Sequence, residues 1–322
     1  MKSFWKIVYM SVFVVHFAWS DDARSLKIAF WNVENLFDLI DDPTINDNEF
    51  SIGGKKNVTQ EIYDLKLVHS AEVLADLDAD ILGICEVENR FMMEELNKAF
   101  TGRNYKIIHY DSPDRRGIDC ALFYDESKFT VLESKQIKNT LSSGKPTRDI
   151  VYVKGQFGGE ILHVFVNHWP SNYGGREQAI PKRAETARFV REKVEKILNE
   201  DPKAEILLMG DFNEGPNEQN IQYLAKDILI NLMEPFTRKK GVGTYVYRGQ
   251  DSLLDQFIAS SGLLDDKGLK IEDNAVSILD LPKYRQQRGK YQHYPFRFWA
   301  GEKLLGGYSD HLAISVEINL IQ

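Results

Sequence analysis

Short β-type apolar runs alternate with helix-period segments from residue 26 to residue 318, and that alternation confines the chain to sheets covered by helices. Strand-like runs occur at 26–33, 81–86, 105–110, 118–124, 150–157, 161–167, 205–209, 253–260 and 311–318. Between them the spacing predicts helices over 61–77, 91–100 and 176–198, and another from about 217. Leu67, Ala71 and Leu74 share one face of the first, and Ala187, Val190, Val194 and Ile197 form a buried stripe on the third. No internal repeat, low-complexity linker or composition break divides the chain. With 43% hydrophobic residues among 322, one α/β domain over 21–322 is the economical prediction.

Residues 1–20 read as an address rather than as fold. Lys2 and Lys6 precede an apolar run at 7–18, which ends in the small-x-small pattern Ala18-Trp19-Ser20 before Asp21 and Asp22. A run of about a dozen apolar residues falls short of the ~20 that a spanning helix needs. We expect a cleaved signal peptide and an exported protein, periplasmic or secreted, with no stable membrane span afterwards. A monomer is the expected state. Export would permit disulfides, but only Cys85 and Cys120 are present, each inside an apolar run, and two buried free thiols are expected. The net charge of −8 argues against indiscriminate nucleic-acid binding, without excluding a nuclease that has a metal ion and a local basic rim.

The polar residues that matter lie just past the apolar runs: Asn32 and Glu34, Glu86, His168, Asp211 with Asn213, Asp255, and Asp310 with His311. In a layered α/β protein such strand ends converge on one rim. One carboxylate at a strand end commonly just meets solvent; six strand ends with hard ligands or hydrogen-bonding groups point to a shared site. Asp211 and Asn213, two apart, fall on the same side of an extended segment. His69, His109, His163 and His293 read as structural, and His16 lies in the signal segment.

These pieces resemble the endonuclease/exonuclease/phosphatase superfamily, which includes deoxyribonuclease I and exonuclease III. The matching motifs are Phe30-Trp31-Asn32-Val33-Glu34-Asn35, Ile84-Cys85-Glu86-Val87, Val166-Asn167-His168-Trp169, Gly210-Asp211-Phe212-Asn213, Leu254-Asp255-Gln256 and Ser309-Asp310-His311. They stand in the family's order and span nearly the whole mature chain. The resemblance implies a four-layered α/β sandwich of two packed, mostly antiparallel sheets flanked by helices. It implies a phosphoesterase that uses activated water. Glu86 would be the main metal ligand, with Asn32 and Asp310 completing an oxygen-rich pocket for Mg²⁺ or Mn²⁺. Asp211 would orient or deprotonate the water, and Asn213 would hydrogen-bond the phosphate. His168 and His311 would donate to phosphoryl oxygens or act as acid and base. Two carboxylate–imidazole pairs are expected, Asp255 with His311 and Asp119 with His168.

Substrate class is less constrained. The stretch 282–300 carries Lys283, Arg285, Arg288, Lys290 and Arg297, six interleaved aromatics and no acidic residue, and should overhang the site. Such a rim can hold a phosphate backbone and stack bases; a solvated loop with its aromatics packed beneath is the plainer alternative. Arg116, Arg297 and Asp119 are candidate substrate contacts, and 172–176 reads as a further rim loop. Nucleic acid is the leading substrate, and an endonuclease the leading activity. The alternatives are a phosphatase or phosphodiesterase of the same fold, acting on a phosphorylated small molecule, inositol or lipid, and a non-catalytic binding module. The chain lacks the inositol-polyphosphate signature Pro-Ala-Trp-x-Asp-Arg before Asp255 and any exposed apolar hairpin of the lipid-cleaving kind.

Overall fold

In β1 (Ser25–Leu36) successive side chains part to two sides: Leu26, Ile28 and Phe30 enter one apolar cluster, Ala29, Trp31 and Val33 another. A strand buried on both faces needs a layer on each. The computed structural model describes residues 24–321, so the signal-peptide expectation for 1–20 lies outside the described residues. α1 (Gln60–Leu77) leads from β1 to β2 (Ile81–Val87), followed by α2 (Arg90–Ala99), β3 (Lys106–His109) and β4 (Asp119–Tyr124). β5 (Thr130–Ile137), β6 (Ile150–Phe157) and β7 (Glu160–His168) come next, then α3 (Arg176–Glu200), β8 (Glu205–Asp211), α4 (Gln219–Ala225) and β9 (Leu229–Asn231). A hairpin of β10 (Tyr245–Tyr247) and β11 (Gln250–Ser252) precedes β12 (Asp255–Ser260), β13 (Leu269–Lys270) and β14 (Val276–Ile278). The chain closes with β15 (Trp299–Ala300), β16 (Lys303–Leu304) and β17 (Ile314–Leu320).

The first sheet runs β13-β17-β1-β2-β4-β3, with β14 also on β17; the second runs β5-β6-β7-β8-β12-β9. Their inner faces meet in one cluster that includes Phe30, Cys85, Leu122, Val164, Met209 and Phe257. α1 and α2 cover the outer face of the first sheet, and α3 and α4 that of the second. This is the four-layered α/β sandwich that the family resemblance implied. Cys85 and Cys120 sit directly opposite one another on β2 and β4, buried and unbridged, as expected. Among the described residues no helix is long and apolar enough to cross a membrane.

Two parallel pairs decide where the site can form. β1 pairs with β2 through the α1 crossover, and β7 pairs with β8 through α3; a helix is the usual way to return a chain for parallel pairing. Their carboxyl ends therefore share one rim. β12 and β17 run antiparallel to β8 and β1, so their amino ends reach that same rim.

The sequence reading missed β5, an edge strand whose half-exposed Thr-Val-Leu-Glu-Ser-Lys-Gln-Ile run lacks a solid apolar face, and the short hairpins. It also began the last strand at 311, whereas β17 starts at Ile314 and His311 before it makes an isolated bridge to Tyr245.

Behind the rim, Arg183 of α3 and Glu214 form a fully buried pair at 2.8 Å. Arg183 also donates to the Pro170 carbonyl and Asn172 Oδ1, and Glu214 accepts from Asn220. Removing one partner strands a buried charge. Arg183→Leu should therefore cost about 3–5 kcal/mol in urea unfolding; a loss below about 1 kcal/mol would show that the pair does not pin the loop after β8.

Candidate active site

Two bulges aim the metal-facing side chains. In the β2–β4 ladder the register shifts between Cys85 and Val87, so Ile84 and Val87 both face the helices and Glu86 is the extra residue, turned toward the rim. The β1–β2 register shifts likewise between Asn32 and Leu36. Glu34, Asn35, Glu86 and Asn213 all take the left-handed conformation, with φ of 54°, 57°, 65° and 52°. For glutamates this backbone is strained, and such strain gathers where function needs a side chain placed against its local preference.

Asp211 is the hub. Its Oδ2 accepts from Asn32 Nδ2 at 3.1 Å and lies 3.7 Å from His168 Nε2 and 3.8 Å from His311 Nε2; its Oδ1 accepts from the Asn213 backbone N–H at 2.9 Å. His311 Nδ1 donates to Asp255 Oδ2 at 2.7 Å, and Thr244 Oγ1 accepts the Asp255 backbone N–H. Ser309 ties the segment down, donating to the Asn32 carbonyl and accepting the His311 N–H. Glu86 Oε2 accepts from Asn35 N–H at 3.1 Å, while its Oε1 stands 3.8 Å from His168 Nε2 and 3.9 Å from Arg116. Arg297 clasps Asp310 at 2.6 Å, and Asn213 Nδ2 donates to the Trp169 carbonyl.

The model of the Endonuclease/Exonuclease/phosphatase family matches residues 27–320. The chain belongs to the endonuclease/exonuclease/phosphatase family. No curated protein matches it. Among solved structures it is similar to D. rerio TDP2 complexed with single strand DNA product, at 16% identity over 92% of this chain and 99% of that one, TM-score 0.59. The human Nocturnin catalytic domain with bound sulfate anion is similar at 17% identity, over 92% and 94%, TM-score 0.59. An endonuclease/exonuclease/phosphatase family protein from Bacteroides thetaiotaomicron shares 19% identity over 91% and 94%, TM-score 0.57. At such identities the likeness is one of fold. As a member of this family the chain is a hydrolase of phosphate esters that works with a divalent metal ion.

The donors fit such an ion. Among the described residues Glu86 Oε1 has no hydrogen-bond partner and Asn32 Oδ1 has only the Glu34 N–H, so oxygen lone pairs face the rim. Asp211, Asp255 and His311 also lie within 4.8 Å of one another and could hold a cation. The 2.7 Å bond between His311 and Asp255 already occupies that imidazole's Nδ1, which makes the trio a better proton-handling set than a cage.

Burial and neighbours divide the titrating groups. Burial pushes the Asp211 carboxyl up to about 7, with the His311 charge opposing and Asp255 and Glu86 reinforcing the rise. For His311 burial works against the charged form, but the Asp255 and Asp211 carboxylates outweigh it and hold the imidazole well above its ordinary value. His168 goes the other way: burial, then the Arg148 and Arg116 charges, keep it neutral, and its Nδ1 has no partner among the described residues.

The expected pair of Asp119 with His168 does not form. Asp119 accepts from His109 Nε2 at 3.0 Å and from the Ser112 N–H. β3 and β4 are adjacent strands that bring His109 beside Asp119, whereas His168 comes from the other sheet. Asp119 thus anchors the 110–118 loop, with His109 as its imidazole partner. His69 and His163 are likewise engaged, with the Gly307 carbonyl and the Tyr152 hydroxyl.

The sequence reading gave no role to Glu34 and overlooked Lys66. Glu34 accepts the backbone N–H groups of Phe298 and Trp299, and Lys66 donates to the Val33 and Tyr308 carbonyls. Burial raises the Glu34 carboxyl and lowers the Lys66 amine. Lys66 sits in the helix stripe beside Leu67, where a lysine reads as solvated; only its long stem crossing to the rim reveals the contact. Tyr245, tilted over His311 at 4.8 Å, was also missed.

His311 binds its proton more tightly folded than unfolded, so this contribution to stability is fully present below about pH 6.5 and is lost as pH rises through the elevated value. In metal-free protein, Asp255→Asn should move the His311 ring titration to lower pH by NMR. An unmoved curve would show that Asp255 does not hold the proton.

Proposed function

We propose that this chain is an exported endonuclease that hydrolyses phosphodiester bonds in nucleic acid by activated water, with Mg²⁺ or Mn²⁺ held by Glu86, Asn32 and Asp310. One observation carries the reading: the Asp211 carboxylate lies between two imidazoles of opposite protonation preference, on the rim that also presents Glu86. A carboxyl near 7 is matched to taking a proton from water at neutral pH. The Asn32 amide fixes one Asp211 oxygen and the Asn213 N–H the other, so the carboxylate is oriented before substrate arrives.

His311, kept protonated by Asp255, is the acid that can donate through Nε2 to a non-bridging or departing oxygen. His168, kept neutral, contributes a hydrogen bond without adding charge. The metal, when bound, neutralises charge on the phosphate in the transition state. Asn213 has its amide on the Trp169 carbonyl, so its remaining N–H and the rim guanidiniums of Arg116 and Arg297 are the phosphate-facing donors. D. rerio TDP2 carries a single-stranded DNA product on the same fold, and that supports nucleic acid as the substrate class. Export rests on residues 1–20, and N-terminal sequencing of the mature protein tests it.

Plasmid nicking and oligonucleotide cleavage with Mg²⁺ or Mn²⁺, beside a phosphomonoester panel, test the activity; turnover of monoesters alone would replace the nuclease by a phosphatase. Asp211→Ala and His311→Ala should each lower kcat by about 10²–10⁴-fold with the circular dichroism spectrum unchanged. Near-full activity of either variant would remove its assigned role. EDTA should abolish turnover, and Glu86→Gln should raise the metal concentration giving half-maximal rate by about tenfold or more; an unchanged metal dependence would take Glu86 out of the ligand set.

A further inference from the structure

The basic, aromatic stretch at 282–300 separates into two parts. Lys283 pairs with Glu72 and Asp76, Arg285 with Asp280, and Arg297 with Asp310. Tyr284, Phe298 and Trp299 are buried. These residues are structural or belong to the site. Arg288 and Lys290 remain exposed, in no ion pair among the described residues, and Tyr291 beside them is 50% exposed.

A second element meets this tip. β10 forms a backbone bridge to His311 at Tyr245, whose ring lies over the imidazole. Two residues further along the strand, Tyr247 falls on the same side as Tyr245, about 7 Å outward. Val246 between them is buried, and Tyr247 is 57% exposed. The Arg248 guanidinium lies 5.2 Å from the Tyr247 ring centre, again without an ion pair among the described residues. The hairpin then joins the other loop: the Gly249 N–H donates to the Tyr294 hydroxyl at 2.6 Å, and Tyr294 packs edge-on against Tyr291, over which Lys290 sits at 5.4 Å.

We propose that Tyr247, Arg248, Arg288, Lys290 and Tyr291 form a shelf that holds single-stranded nucleic acid outward from the scissile phosphate. Bases stack on the two tyrosines and phosphates pair with the three cations. The proposal rests on the nuclease reading above and names its substrate form. Tyrosine faces can stack only bases that are not already paired in a helix, which selects a single strand. In an acidic protein, a patch of three cations that make no ion pair among the described residues is where a polyanion can settle, and strand β10 connects it directly to His311. That continuity favours the substrate itself over an anionic membrane as occupant.

The test is equilibrium binding of a fluorescent single-stranded oligonucleotide to the full-length protein in EDTA, followed by anisotropy. Tyr247→Ala and Tyr291→Ala should each weaken binding about tenfold. Replacing Arg248, Arg288 and Lys290 together by alanine should also weaken it and reduce the salt slope of log K by about 2. All variants should turn over bis(p-nitrophenyl) phosphate like the wild type, because that small diester does not reach the shelf. Oligonucleotide affinities within twofold of wild type would overturn the proposal, as would no binding by the wild type. So would loss of binding to phosphatidylserine vesicles with oligonucleotide binding intact. If the wild type cuts the oligonucleotide while variant affinities are unchanged, the shelf fails and the nuclease stands. If the wild type turns over the small diester but does not cut nucleic acid, the nuclease reading fails, and the affinities in EDTA decide the shelf by themselves.

Discussion

The Asp211 carboxylate is the point on which the two sheets must agree. It ends β8 of the second sheet, yet its Oδ2 takes its hydrogen bond from Asn32 on β1 of the first. A fully buried carboxylate is costly unless partners surround it. Here the partners are an amide, a backbone N–H and two imidazoles delivered by separate strand ends. Sliding one sheet against the other would leave that carboxylate without its compensation, so the packing that fills the core is also what assembles the site.

The neighbourhood is built against local preference to meet that demand. Two bulges and four left-handed residues lie at the ends of β1, β2 and β8, where regular strands would simply continue. Compensation comes from groups behind the rim. Glu34 clamps two backbone N–H groups of the 298–299 segment, Lys66 spans the Val33 and Tyr308 carbonyls, and Arg183 with Glu214 pins the loop after β8. Each of these is an ionisable side chain buried where it holds backbone or a loop in place. Stability spent there is returned as orientation of the reacting groups.

Much of this was legible in the residues. Strand and helix positions follow from apolar periodicity, because burial on one or two faces imprints a period of 2 or 3.6 on the chain. Asn32, Glu86, His168, Asp211 and Asn213 stand out because they close apolar runs, and Asp255, Asp310 and His311 because they stand at the start of others; the structure brings them to one rim. The partner of Asp119 was not legible: both His109 and His168 end strands, and only sheet membership tells which one is adjacent. Lys66 and Tyr245 were hidden for a related reason, since neither breaks the pattern of its own element.

The amino-acid sequence by itself determined the layers, the family and which residue types crowd the strand ends, since these depend on periodicity and on short motifs. Tertiary structure alone decided which histidine each carboxylate holds, which imidazole keeps its proton, and which basic residues of 282–300 are neutralised. Those outcomes depend on distances of a few ångströms between segments far apart in the chain, where one neighbouring charge or one lost water reverses the preferred protonation state.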